Sequence, residues 1–88
     1  MVHPLKNILN RLRWDPRENA ENYLIIYRHR GAPNDVKQIS ASEIVTLGKS
    51  YFTLNDETDD ETTIPFHRIL EIRNLKNDAL IWRKRALR

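Results

Sequence analysis

Two short runs hold the residue types that could do chemistry. Tyr27-Arg28-His29-Arg30-Gly31-Ala32-Pro33 packs two guanidiniums, an imidazole, a glycine and a proline into seven residues. Ile64-Pro65-Phe66-His67-Arg68-Ile69 sets a second imidazole beside another guanidinium. Arginine offers a planar fork of donors, which suits an anion with several oxygens. Two histidines can supply an acid and a base for phosphodiester cleavage, with neighbouring arginines stabilising the charge that develops. The same groups, Arg28, His29, Arg30, His67 and Arg68, equally form a binding site for a terminal phosphate. His3 completes the histidine complement. The plainer alternative for each run is a solvated strand end.

Other chemistries lack their residues. The chain has no cysteine, which removes disulfides, thiolate zinc sites and thiol nucleophiles. Three scattered histidines lack a metal-ligand spacing. The acidic run from Asp56 to Glu61 has no glycine turn of the EF-hand kind and reads as a hairpin loop. Gly31 and Gly48 are the only glycines, too few for a phosphate-binding glycine loop. No metal and no cofactor is expected, and no residue is assigned a catalytic role.

Elements must bring the two runs to a surface. Residues 4–13 form an amphipathic helix, because Leu5, Ile8, Leu9 and Leu12 recur at helical spacing and Pro4 suits a first turn. Trp14 is expected as a lid over the helix end. After a polar connector, residues 23–30 read as the first strand. Its faces are Tyr23/Ile25/Tyr27/His29 and Leu24/Ile26/Arg28/Arg30, so Arg28 and Arg30 share a face that His29 does not. Val36 to Ile39 make a short strand, and Ser40-Ala41-Ser42-Glu43 reads as a cap and short turn. Further strands begin at Tyr51, Thr62, Ile69 and Ala79. Pro65 breaks pairing, so Phe66-His67-Arg68 is an irregular corner. The expected fold is α+β: an N-terminal helix on a twisted, mostly antiparallel sheet of about five short strands, a sheet that can curl to a partly open barrel. Both cationic runs fall where an apolar strand turns polar, and they are expected to meet in space.

Composition limits the partner. A chain of 88 residues, 40% apolar and 31% charged, is expected to be one domain over 1–88. Its parts are a helix at 4–13, a sheet over 23–83 and a basic tail at 84–88. No apolar run approaches membrane-spanning length, and Met1-Val2-His3-Pro4 does not begin a signal peptide, so a soluble, cytoplasmic protein is expected. Removing the carboxylates of Asp56, Glu57, Asp59, Asp60 and Glu61 would raise the net charge from +3 to +8. The rest of the chain is basic and suits a polyanion, nucleic acid first.

His3-Pro4-Leu5 with Asn10-Arg11-Leu12-Arg13-Trp14, the Arg28-to-Pro33 run, the Ile64-to-Ile69 run and Ile81-Trp82-Arg83 together resemble a family of small uncharacterised archaeal proteins. That family is related to a domain proposed to recognise RNA ends carrying a 2′,3′-cyclic phosphate. The resemblance spans nearly the whole chain. It departs at Phe66, where the family usually has tyrosine and so a hydroxyl that this chain lacks. It implies an RNA-binding module for phosphorylated or cyclic-phosphate 3′ ends, with Arg28, Arg30, His29, His67 and Arg68 as the phosphate site. Two alternatives stand beside it. One is a structural or protein-interaction domain without RNA-end recognition. The other, ranked below it, is a metal-independent phosphoesterase using His29 and His67. Binding rather than turnover is the expectation, and no particular protein partner is implied.

Overall fold

The computed structural model describes residues 4–55 and 61–84. His3, the carboxylates of Asp56, Glu57, Asp59 and Asp60, and the tail residues Arg85 and Arg88 lie outside the described residues. Among the described residues the helix α1 (Pro4–Trp14) precedes seven strands. These are β1 (Tyr23–Arg28), β2 (Val36–Ser40), β3 (Ile44–Leu47), β4 (Tyr51–Asn55), β5 (Glu61–Pro65), β6 (Ile69–Asn74) and β7 (Ala79–Arg83). The fold is α+β, as the sequence pattern indicates.

The strands divide into two antiparallel sheets, where about five strands in one sheet were expected. One sheet has the order β2-β1-β6-β7 and the other β3-β4-β5, and among the described residues no ladder closes a barrel. Alternation sets which residues face inward. In the larger sheet Ile39, Ile25, Ile72 and Trp82 lie in one row across all four strands. In the smaller sheet Leu47, Phe52 and Ile64 form the corresponding row. Leu5, Leu9 and Leu12 of α1 join the same core, with Leu9 at 0% exposure. The Arg13 Nε donates to the Ile44 carbonyl at 2.9 Å and ties the helix end to β3.

Trp14 is not the lid expected of it. The helix runs one residue further and places Trp14 roughly 200° around from Leu12, away from the apolar stripe. It is 44% exposed, and the Arg13 guanidinium sits 5.1 Å from its ring centre.

Two 3₁₀ turns carry the chain between sheets. Residues 41–43 lead from β2 to β3, and residues 66–68 lead from β5 to β6. In a 3₁₀ turn residues three apart share a side. Ala41 and Ile44 are buried at the first turn, and Phe66 and Ile69 at the second. The first turn closes as a capping box: the Ser42 N–H donates to Ser40 Oγ, and the Ser40 N–H donates to Glu43. At the second, the intervening His67 and Arg68 are forced outward and are exposed. Pro65 takes its place opposite Tyr51 at the end of β5, and one further bond follows, from the Phe66 N–H to the Ser50 carbonyl at 2.9 Å.

Candidate functional site

Chain parity on β1 decides what each side of the strand presents. Tyr23, Ile25 and Tyr27 are buried, while Arg28 and Arg30 are exposed. The strand ends at Arg28, and the chain then reverses. The His29 N–H donates to the Asp35 carbonyl at 2.8 Å, and the Ala32 N–H donates to the His29 carbonyl at 3.2 Å. Gly31 has φ +92°, a conformation closed to residues with a Cβ, and this is what lets Arg30 stay beside Arg28.

The opposing wall comes from the second 3₁₀ turn. The Phe66 ring is 1% exposed and anchors the corner in the core, so the tyrosine hydroxyl of the resembled family would enter apolar surroundings here. The register between β1 and β6 shifts between Ile26 and Tyr27: Ile26 faces Glu71, Tyr27 faces Ile69, and Leu70 is the extra residue. Such a bulge bends a strand and re-aims its side chains. The start of β6 thereby brings the corner against the end of β1.

Arg28, Arg30, His67 and Arg68 line one depression of about 380 Å³, together with Lys84. Among the described residues the side chains of Arg28, Arg30, His67 and Arg68 make no hydrogen bond or ion pair. Arginines elsewhere on the surface do find carboxylates. Arg17 pairs with Asp15 at 2.9 Å and Arg73 with Glu71 at 2.5 Å. The hydrogen bond from Arg17 holds the Asp15 carboxyl down at about 2. Three exposed guanidiniums gathered with no ion-paired carboxylate among the described residues repel one another weakly through water, and a bound anion removes that repulsion.

Lys84 is the member that the sequence reading missed. It was grouped with a basic tail, yet its N–H donates to the Leu70 carbonyl at 2.8 Å, extending the β6–β7 pairing by one residue. Its ammonium donates to the His67 carbonyl at 2.5 Å and braces the corner. The usable signal was the lack of any glycine or proline between Trp82 and Lys84.

His29 does not join this depression. It lines a groove of about 800 Å³ on the other side of β1, with Tyr27, Lys37, Gln38, Ile39, Glu43, Leu54, Asn55, Thr62 and Ile64. Its ring meets Tyr27 edge-on with centres 6.2 Å apart, and Tyr27 meets Phe52 in the same way at 6.2 Å. Burial, and then the charge of Glu43, raises the Tyr27 phenol above its ordinary value. His29 and His67 therefore line different depressions, and a two-histidine acid–base pair lacks its geometry. Among the described residues no cluster of potential metal ligands occurs. No helix among them is long and apolar enough to cross a membrane.

Comparison with known proteins agrees with the resemblance read from the sequence. The model of the MJ1316 RNA cyclic group end recognition domain matches residues 2–84. A UPF0248 protein of Methanococcus vannielii is 46% identical over 80 residues, covering 91% of this chain and 90% of that protein. A UPF0248 protein of Pyrococcus furiosus is 41% identical over 86 residues, covering 96% and 94%. One from Thermococcus sibiricus is 39% identical over 84 residues, covering 94% and 87%. No solved structure matches the chain. With the family model covering 2–84 and archaeal relatives matched almost end to end, this chain belongs to the family of the MJ1316 RNA cyclic group end recognition domain.

Proposed function

We propose that this protein binds RNA 3′ ends carrying a phosphate or a 2′,3′-cyclic phosphate, in the depression formed by Arg28, Arg30, His67, Arg68 and Lys84. The observation that carries the reading is the convergence of three guanidiniums and an imidazole that, among the described residues, form no ion pair with a carboxylate. The family's name supports an RNA end as the source of the anion. A cyclic phosphate carries one negative charge, so net charge alone is a weak handle on it. Arginine forks supply directed donors to the two non-bridging oxygens. The imidazole of His67 adds a donor from the opposite wall. Binding of this kind needs no metal and no turnover. His29 has no part in it and supports the aromatic packing beneath β1.

One short RNA prepared with a 3′-hydroxyl, a 3′-phosphate or a 2′,3′-cyclic phosphate tests the reading. The phosphorylated ends should bind more tightly than the hydroxyl end, and affinity should fall as salt rises. Equal affinity for all three would leave only general charge attraction. Affinity no greater than that of a neutral-surfaced control would favour the structural or protein-interaction alternative.

A further inference from the structure

Arg28 and Arg30 have a second side. They also line a neighbouring depression of about 430 Å³, completed by Asn34, Asp35, Val36 and Leu70. The two depressions thus share a wall of guanidiniums and differ in everything else. The first is lined by cations and an imidazole. The second adds a side-chain amide, a carboxylate and two half-buried apolar side chains, Val36 and Leu70. A carboxylate is out of place in a site for phosphate oxygens alone. Among the described residues Asp35 enters no ion pair, even with Arg28 and Arg30 on the same rim.

We propose that this second depression is the subsite for the base of the terminal nucleotide, and that it selects guanine. The inference rests on the RNA-end reading above. Single-stranded RNA is read by stacking its splayed bases on aromatic or guanidinium planes and by hydrogen bonds to their Watson–Crick edges. Val36 and Leu70 supply apolar surface for a base, and the Arg28–Arg30 wall supplies guanidinium planes beside the phosphate. Asp35 supplies the edge contact. An ionised carboxylate only accepts, and its two oxygens offer about four lone-pair sites. One oxygen, Oδ1, takes the Gly31 N–H at 3.3 Å, a long contact that leaves acceptor capacity on both. Guanine sets two donors side by side, the N1–H and the N2 amino group, at the spacing of two carboxylate oxygens. Its O6 lies next to them and can accept from the Asn34 amide. Adenine and cytosine each set one amino group beside an acceptor nitrogen, which would face the second oxygen without a proton. Uracil has a single N–H between two carbonyls. Asp35 and Asn34 both have positive φ, 57° and 58°, in the loop that follows Gly31, and both residue types tolerate it.

The test is equilibrium binding of four short RNAs that differ only in the terminal base. Each is prepared with a cyclic phosphate and with a 3′-hydroxyl, and each is titrated with the wild-type chain and with Asp35→Asn. The cyclic-phosphate RNA ending in guanine should bind roughly tenfold more tightly than the one ending in uracil, the scale of one well-formed bidentate contact. Asp35→Asn should lower the guanine-ended RNA to the uracil level and keep the difference between cyclic phosphate and hydroxyl. Equal affinity across the four bases, or a preference for another base, with that difference intact, overturns the guanine subsite and spares the end reading. A guanine preference that Asp35→Asn leaves undiminished overturns the assignment to this depression. Loss of the difference between cyclic phosphate and hydroxyl overturns both.

Discussion

The cationic depression and the larger groove lie on either side of β1, and the run from Tyr27 to Arg30 lends side chains to both. The groove has about 800 Å³ against about 380 Å³, so size alone would favour it as the site. Its lining argues otherwise. It carries one cation and one carboxylate, Lys37 and Glu43, and the Tyr27 ring packs edge-on against both His29 and Phe52. The smaller depression has nothing to balance Arg28, Arg30 and Arg68 among its described lining residues. Alternation along the run separates the two: Tyr27 and His29 line the groove, and Arg28 and Arg30 line the cationic depression. A single-residue slip in register would exchange them. The proposed site is marked out by cations without ion pairs among the described residues rather than by volume.

Removing the frame should affect both regions. Leu9 is fully buried where α1 meets the core, and Leu9→Ala should cost about 2–5 kcal/mol of stability by chemical denaturation. Because Leu9 touches neither depression, the RNA-end affinity of the folded protein should hold. A stability change within about 0.5 kcal/mol would mean that the helix does not support the two sheets.

The next effect separates the regions. Arg30→Ala and His67→Ala should each weaken binding of a cyclic-phosphate RNA end by about 1.5–3 kcal/mol, the worth of a charge-assisted hydrogen bond. Thermal stability should stay near the wild-type value, since both side chains are exposed. His29→Ala should do the reverse. It removes an edge-on ring contact worth about 0.5–1.5 kcal/mol and should leave RNA-end affinity unchanged. If His29→Ala weakened binding as much as His67→Ala, the division between the two faces of β1 would collapse.

The smallest effect concerns pH. Burial raises the Tyr27 phenol in the folded chain, so the folded state holds its proton more tightly than the unfolded state does. That stabilisation is complete below the ordinary tyrosine value of about 10 and is lost as pH rises through the folded value. Tyr23 behaves alike, raised by its hydrogen bond to Glu18 and by burial. Tyr27→Phe should therefore flatten, without abolishing, the fall in stability at alkaline pH. An unchanged slope would show that the Tyr27 phenol is not shielded.

Much of the site was legible because local rules dictate it. Alternation put Arg28 and Arg30 on one face and His29 on the other. Pro65 marked an irregular corner at Phe66-His67-Arg68, while the 3₁₀ geometry that turns His67 and Arg68 outward shows only in the structure. The cap at Ser40 was legible from its side chains. The division into two sheets was not. It depends on β1 pairing with β6 across more than forty residues of chain, and local patterning carries no record of a partner that distant. Ile44 to Leu47 is short and follows a turn, so its strand character emerges only once β4 lies beside it. Lys84 was hidden for a related reason: a basic residue near a chain end reads as solvated until its neighbour Leu70 is known.

The central claim is that the phosphorylated end sits in the small cationic depression rather than in the groove. Amide chemical shifts followed during titration with a short RNA bearing a 2′,3′-cyclic phosphate test this most directly. The account predicts that the largest shifts fall at Arg28, Arg30, His67, Arg68 and Lys84, with Tyr27, Lys37 and Glu43 little changed. Shifts concentrated at Lys37, Gln38, Glu43 and Thr62, with the Arg28 and His67 signals still, would contradict it.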